Sequence, residues 1–387
     1  MRIALLAHAP ARGGSTDLFF QARDFFQGRG YVVQPIFGMP DAAPDPRAAD
    51  AWVLPERRGD WRVRMKEYRD KIESFAPDLV YAISGRDEVD LMRFLSSVRV
   101  RHISSLEEHE YFNVPFTLRK TCRFYEALTA NTPDTLEQVR RISGRPSFLL
   151  PYLFPEPLHQ VLEVDSSRLM DPQSPVEIAF VSRIECFQKR CQWLPEIICG
   201  CEDQGAKLAW HFYGDGPYSA SLQDRLAGQS SVYFHGWVSR EDLYQRLPLH
   251  DIFFLCSRWE GLPIAMVEAM RCGLACVVPD IPAGMHWALE RGGGWLYDAH
   301  SPRAAVDALL LATRQREVLF EKRREALHLA RELFSVARAQ EQFLELERCL
   351  EKLRFNGDFL QLEHAPKFRA VSIPTYIRRL LLRPNRS

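Results

Sequence analysis

The stretch Ile252-Phe253-Phe254-Leu255-Cys256-Ser257-Arg258-Trp259-Glu260-Gly261-Leu262-Pro263-Ile264-Ala265-Met266-Val267-Glu268-Ala269-Met270 changes its backbone period midway. Ile252–Leu255 is a short continuous apolar run, the pattern of a strand buried on both faces. From Pro263 onward the pattern is helical, and proline suits a first helical turn. Gly261 permits a tight turn between the two. Strand–loop–helix is the unit of a parallel α/β sheet, whose ligands bind beyond the carboxyl ends of the strands. The loop offers backbone N–H groups at a helix N-terminus, a natural anion site. It also carries two carboxylates, Glu260 and Glu268, with seven residues between them. A carboxylate accepts two hydroxyl hydrogen bonds, so each suits a vicinal diol. Taken alone, Glu268 reads first as a helix-surface or capping carboxylate, and only the whole pattern favours a ligand.

The same alternation continues in both directions. Strands are predicted near Ile178–Val181, Leu208–Tyr213, Val232–Phe234 and Cys276–Pro279, each followed by a helical pattern. Upstream, strands are predicted at Ile3–Ala7, Tyr31–Ile36, Leu79–Ile83, His102–Leu106 and Phe148–Leu150. A helix from Thr16 to about Gly28 places Phe19, Phe20, Ala22 and Phe26 on one face, with Gly30 just past its end. Two such series predict an α/β chain of two parallel-sheet domains facing across a cleft. The expected division is 1–155, 156–334 and a C-terminal segment 335–387, with Glu156–Pro175 as the connection. A length of 387 residues suits two domains.

Lys and Arg total 50, as do Asp and Glu, so the formal charge is zero. That argues against a protein that coats nucleic acid. The balance is uneven along the chain. Residues 1–155 carry 22 cations and 20 anions, residues 156–363 carry 22 and 30, and residues 364–387 carry six cations and no acid. Nine cysteines without a CxxC spacing predict reduced thiols and a cytoplasmic setting. The apolar run before His8 is too short for a secretory leader and is expected to be a strand. No stretch is long and apolar enough to predict a membrane span.

Two further loops follow strands. Ser182-Arg183-Ile184-Glu185-Cys186-Phe187-Gln188-Lys189-Arg190 places two cations, Arg183 and Lys189, six residues apart. They can converge on a diphosphate, the arginine as a fork and the lysine as a point charge. A solvated charge cluster is the competing reading. Gly214-Asp215-Gly216-Pro217 is turn chemistry that also lets a ligand ring approach the backbone.

Together these loops resemble those of the family 4 glycosyltransferases, which have the GT-B fold. The resemblance rests on Arg183 and Lys189, on Gly214–Pro217, on Phe234-His235-Gly236-Trp237-Val238, and on Glu260 with Glu268 in an E-x7-E motif. It continues through Ala269-Met270-Arg271-Cys272-Gly273-Leu274-Ala275-Cys276-Val277-Val278. It runs in order from Ile178 to Asp298. The N-terminal half is similar more loosely, through Gly13-Gly14 and Ala76-Pro77-Asp78-Leu79-Val80. Many family members carry E-G-F-G-L-P where this chain has Glu260-Gly261-Leu262-Pro263.

The resemblance implies a retaining hexosyltransferase that takes a sugar from a nucleotide-sugar donor. Arg183 and Lys189 would neutralise the diphosphate leaving group, Glu260 would hold donor-sugar hydroxyls, and Glu268 would bind the ribose. Backbone near Gly214, Gly216, Trp237 and Val238 would border the base. Gly261, Leu262, Pro263 and Ile264 would face phosphate or sugar, and Gly14 would add a helix N-terminus from the first domain. The family often places a histidine near the donor sugar, for which His109 is the candidate, beside Glu107 and Glu108; His8 is a second. No metal or other cofactor is implied, and the sequence has no D-x-D. Alternatives are a nucleotide-sugar 2-epimerase of the same fold or a non-catalytic sugar-nucleotide-binding partner. A nicotinamide-dependent dehydrogenase is disfavoured because no G-x-G-x-x-G follows the first strand.

The acceptor, a glycan or lipid-linked saccharide in polysaccharide or glycoconjugate assembly, is expected on the N-terminal domain. Trp52, Trp61, Tyr68, Phe112 and Phe116 can stack on sugars or form core. Arg57, Arg58, Arg62, Arg64 and Lys66 form a basic cluster, either facing an anionic partner or solvated. In the tail 364–387, Lys367, Arg369, Arg378, Arg379, Arg383 and Arg386 are interleaved with Tyr376, Ile377 and Leu380–Leu382. That composition suits the inner face of an anionic membrane, or a segment packed back on the first domain.

Overall fold

A computed structural model describes residues 1–7, 10, 14–38, 40, 44–54, 61–83, 95, 98–103, 118, 122–150, 164, 167–281 and 284–350. Two parallel sheets organise them. The first contains β1 (Arg2–Ala7), β2 (Val32–Phe37), β3 (Trp52–Val53), β4 (Leu79–Ala82), β5 (Val98–Ile103), β6 (Ala127–Ala130) and β7 (Ser147–Leu149). Its order is β3-β2-β1-β4-β5-β6-β7. The second contains β8 (Val176–Val181), β9 (Leu208–Tyr213), β10 (Val232–Gly236), β11 (Ile252–Phe254), β12 (Ala275–Pro279) and β13 (Gly294–Tyr297), in the order β10-β9-β8-β11-β12-β13.

Both sheets reverse strand order beside their first strand. In the second sheet β8 lies between β9 and β11, paired in parallel with each. Loops leaving β8 and β11 must diverge to opposite faces, which opens a crevice at their carboxyl ends. The Arg183–Lys189 loop and the Glu260 loop therefore emerge side by side.

The helices are α1 (Gly14–Gly28), α2 (Trp61–Phe75), α3 (Pro133–Ser143), α4 (Leu194–Glu202), α5 (Ser219–Leu226), α6 (Arg240–Arg246), α7 (Ile264–Arg271), α8 (Gly284–Leu289), α9 (Pro302–Arg314), α10 (Arg316–Leu333) and α11 (Val336–Leu350). The second core is fully buried around Ile178, Phe180, Trp210, Phe212, Phe253, Val277 and, from α7, Met266, Val267 and Met270. Apolar runs on adjacent strands interdigitate with one helical stripe, which holds the loops on a rigid frame.

Helix α11 packs on the first sheet's core. Phe343 lies 4.7 Å from Phe26 and 5.5 Å from Phe25, and Arg29 pairs with Glu347 at 3.0 Å. The end of the connecting segment is held by the second domain. Leu169 is buried in its core, and Arg168 pairs with Asp251 at 2.7 Å. Asp251 also takes Arg323 of α10 at 2.7 Å and the Glu177 amide at 2.9 Å.

Strand β5 begins at Val98, four residues before the predicted His102. Its Val-Arg-Val-Arg start places two arginines in a central strand. Arg99 is nonetheless buried, because its guanidinium meets the buried carboxylate of Glu126 at 2.8 Å. Trp52 and Tyr68 belong to the core, Trp52 against Phe75 at 6.1 Å and Tyr68 among the buried side chains around α2. None of the nine cysteines is joined in a disulfide, and most are buried. Among the described residues no helix is long and apolar enough to cross a membrane. His8, Arg57, Arg58, Glu107, Glu108, His109, Phe112, Phe116 and the tail 364–387 lie outside the described residues, as do the side chains of Trp61, Arg62 and Arg64.

Candidate active site

Four loops at the carboxyl ends of β8, β9, β10 and β11 are joined by backbone hydrogen bonds. Ile184 N–H donates to the Asp215 carbonyl at 3.0 Å, Gly214 N–H to Gly236 at 2.7 Å, and Arg258 N–H to Gln188 at 2.7 Å. These contacts explain the Gly-Asp-Gly turn. A Cβ on Gly214 would sit 2.0 Å from the Ser182 carbonyl oxygen, and one on Gly216 would sit 2.3 Å from that of Ile184. Gly214 also has φ +130°, a region open to glycine. The close approach seen here is between protein backbones, in line with the turn chemistry read from the sequence.

The β8 loop is shaped by Glu185. Its carboxylate accepts the amides of Phe187, Gln188 and Lys189 at 2.7, 2.9 and 2.7 Å. That turn sends Lys189 inward, where its ammonium forms an ion pair with buried Glu260. Ser257 Oγ donates to the same carboxylate at 2.6 Å, and Gln188 Nε2 approaches its second oxygen at 3.5 Å. Gln188 Nε2 also donates to the Trp259 carbonyl at 3.2 Å. Arg183 behaves differently. Its side chain is 61% exposed and touches only the edge of the group, at Gln188 Oε1 (3.4 Å) and Glu185 (3.9 Å). The structure thus brings Lys189 and Glu260 together and leaves Arg183 at the rim.

Glu268 lies in α7, buried, and forms an ion pair with Arg240, the first residue of α6. Sequence reasoning missed Arg240, Ser257 and Gln188. The signal for Arg240 was its place just after the Gly236–Val238 loop, with Ser239 as a helix N-cap. Beside the pair, the Tyr244 hydroxyl is buried without a partner; burial first, then the nearby Glu268 charge, pushes its pKa up. Gly236 turns β10 at φ +67°, leaving Trp237 59% exposed and Val238 half-buried at the rim.

Helix α7 starts after Pro263, whose φ and ψ are −62° and 122°. Proline has no N–H, so of the expected donors there only Gly261, Leu262 and Ile264 carry one. Gly261 and Leu262 are buried and closely backed by Gly284 of α8, where a Cβ would meet the Gly261 carbonyl at 2.6 Å. In the first domain Gly14 opens α1, beyond the end of β1. Among the described residues no three His, Cys, Asp or Glu side chains gather closely enough to hold a metal ion.

A separate open cavity of about 540 Å³ lies on one face of β8–β10, walled by Glu177, His211, Tyr213, His235, Arg246 and His250 among others. His211 bridges Glu177 at 2.7 Å and His235 at 3.0 Å, and Tyr213 reaches His250 at 3.3 Å. Its imidazoles are thus partnered within the wall. Neither Lys189, Glu260 nor Glu268 borders it.

Residues 175–314 match the family model described as "Glycosyl transferases group 1". A stretch of 78 residues is 33% identical to the UDP-Gal:alpha-D-GlcNAc-diphosphoundecaprenol alpha-1,3-galactosyltransferase of Escherichia coli, covering 20% of each chain. Another of 75 residues is 40% identical to the GDP-mannose:cellobiosyl-diphosphopolyprenol alpha-mannosyltransferase of Xanthomonas campestris, covering 19% of this chain and 20% of that one. The chain thus spans about a fifth of the length of these curated relatives. Solved structures are similar over far more of it. Anabaena HepE in complex with UDP and glucose superposes with a TM-score of 0.72 at 16% identity, over 90% of this chain and 100% of that one. Sucrose-phosphate synthase from Thermosynechococcus elongatus gives 0.70 at 14% identity, over 91% and 100%. The chain therefore has the GT-B fold, two Rossmann-like domains facing across a cleft, and its residues 175–314 match a glycosyltransferase family model.

Proposed function

We propose that the protein is a retaining glycosyltransferase that moves a hexose from a nucleoside-diphosphate sugar to a saccharide or lipid-linked acceptor. The observation that carries the reading is the Lys189–Glu260 ion pair across the switch point of the second sheet, with Glu268 on the helix that follows the Glu260 loop. The activities named for two relatives support it. Both use nucleotide-sugar donors and diphosphate-linked polyprenol acceptors, and HepE was solved with UDP and glucose.

In this reading the acceptor hydroxyl bonds to the anomeric carbon while the bond from that carbon to the diphosphate oxygen breaks. The electron pair leaves with the nucleoside diphosphate, whose departing phosphate oxygen takes up the proton of the acceptor hydroxyl. Lys189 meets the negative charge that grows on that oxygen, and Arg183, exposed at the rim, adds a guanidinium fork. Glu260, held by Ser257 and Gln188, keeps Lys189 in place and accepts from donor-sugar hydroxyls. Glu268 accepts from the ribose. The two cations and the start of α7 supply the positive field, so transfer is expected to proceed without a metal ion. His109 or its neighbours Glu107 and Glu108 complete the site from the first domain, and the tail 364–387 attaches the protein to an anionic membrane surface.

The test is incubation with uridine, guanosine and adenosine nucleotide sugars, with and without saccharide acceptors, in the presence of EDTA. Release of nucleoside diphosphate and acceptor-dependent product is expected. Epimerisation without release would favour a 2-epimerase, and binding without turnover a non-catalytic partner. Flotation of the chain, whole and ending at Glu363, with anionic liposomes checks the tail; equal binding by both removes that part.

A further inference from the structure

Arg240 stands outside the residues that the loops themselves mark. It begins α6 because Ser239 caps the helix, its hydroxyl accepting the Asp242 amide at 3.1 Å. That cap fixes where the first side chain of the helix points. The guanidinium crosses to α7 and pairs with the Glu268 carboxylate, with 17% of the Arg240 side chain and 9% of the Glu268 side chain exposed. The ring of Tyr244, one turn further along α6, lies 5.7 Å from the guanidinium carbon and backs it.

We infer that Arg240 is the positioning residue that makes Glu268 selective for a ribose diol over a deoxyribose. This rests on the reading of Glu268 as the ribose-binding carboxylate. A glutamate side chain has three rotatable bonds, and an unheld one would lose rotamer freedom on binding. Arg240 fixes it beforehand. A carboxylate has about four lone-pair directions, so the pairing with Arg240 does not by itself exhaust its capacity for hydroxyls. An acceptor fixed in place discriminates strongly against a ligand that lacks the hydroxyl, because the partner then goes unmatched. A carboxylate free to swing would relax toward water and discriminate less. Arg240 also lies three residues after Trp237, so the loop expected to border the base and the clamp on the ribose carboxylate form one short segment.

Titration calorimetry with UDP, GDP and ADP, each against its 2′-deoxy analogue, tests this without an acceptor. The wild type is expected to prefer the ribonucleotide by about tenfold or more. Arg240→Gln is expected to lower that preference to less than about threefold, and Arg240→Lys, which keeps a cation but not the fork, to give an intermediate value. A purely structural role would weaken both analogues equally and leave their ratio unchanged, and that result in either Arg240 variant overturns the inference. Melting curves on both identify any misfolded variant, and the lysine form carries the test if the glutamine form fails to fold. Glu268→Gln separates the two levels. If it loses the preference while the Arg240 variants keep theirs, only the inference fails. If it keeps the preference, or if the wild type binds none of the diphosphates, the reading of Glu268 fails and the inference with it.

Discussion

The Lys189 ammonium and the Glu260 carboxylate form an ion pair that ties the loop after β8 to the loop after β11. The two residues are far apart in sequence and adjacent only because the sheet reverses its order between these strands. Lys189→Ala should lower turnover at least tenfold, about 1.4 kcal/mol of transition-state stabilisation. It also strips the buried Glu260 of its cation, so the melting temperature should fall as well. Arg183→Ala, at an exposed rim position, should reduce turnover without shifting the melting curve. Steady-state rates and thermal melts of both variants check the contrast.

Gly214 permits a backbone contact that no other residue can make. An alanine there places its Cβ on the Ser182 carbonyl oxygen and adds a left-handed φ. Gly214→Ala should destabilise the second domain by about 2 kcal/mol or more and pull the β8 loop out of register. Chemical denaturation measures the first effect. Loss of nucleotide binding in the still-folded fraction reports the second.

Asp251 is fully buried between Arg168 and Arg323, and it anchors both the connecting segment and α10 under the second sheet. Removing one partner of a buried ion cluster strands the others. Asp251→Ala should cost about 3–5 kcal/mol, visible as a lowered denaturation midpoint.

His250 gives the fold an acid sensitivity. Burial first, and then the neighbouring His211, lowers its pKa to about 4, while Glu177 and the backbone at Arg246 and Leu247 pull the other way. In the unfolded chain it takes up its proton near 6.5. Between those values the unfolded state binds more protons, so stability falls as the pH is lowered from about 6.5 toward 4. The loss from this residue is about 3 kcal/mol at the lower end and absent above about pH 7. His250→Asn should flatten that part of a stability–pH curve, though His235, whose pKa burial also lowers, adds to the slope.

The second sheet was legible in the sequence because its strands are short, predominantly apolar runs, such as Ile178–Val181 and Leu208–Tyr213. Their loops carry the spacing of Glu260 and Glu268 openly. Strand β5 was misplaced because Arg99 hides its charge in a pair with Glu126, a contact that joins two strands and leaves no local period. Strand β6, Ala127–Ala130, escaped notice because four small or apolar residues after a charged stretch carry too little signal. At the site, Lys189 and Glu260 were each named, but their contact was not, and the pairing of Arg240 with Glu268 was not legible either. Both are pairings across the switch point, fixed by sheet topology and not by spacing along the chain.

The most direct measurement is nucleoside diphosphate release from a panel of nucleotide sugars by the wild-type protein and by Lys189→Ala, with a saccharide acceptor present. Release by the wild type is expected to be coupled one-to-one to a glycosylated acceptor, and release by the variant to be at least tenfold slower. Equal rates in the two proteins would contradict the placement of the donor site. Absence of release from every donor and acceptor tried, with the protein folded, would contradict the assignment of transfer itself.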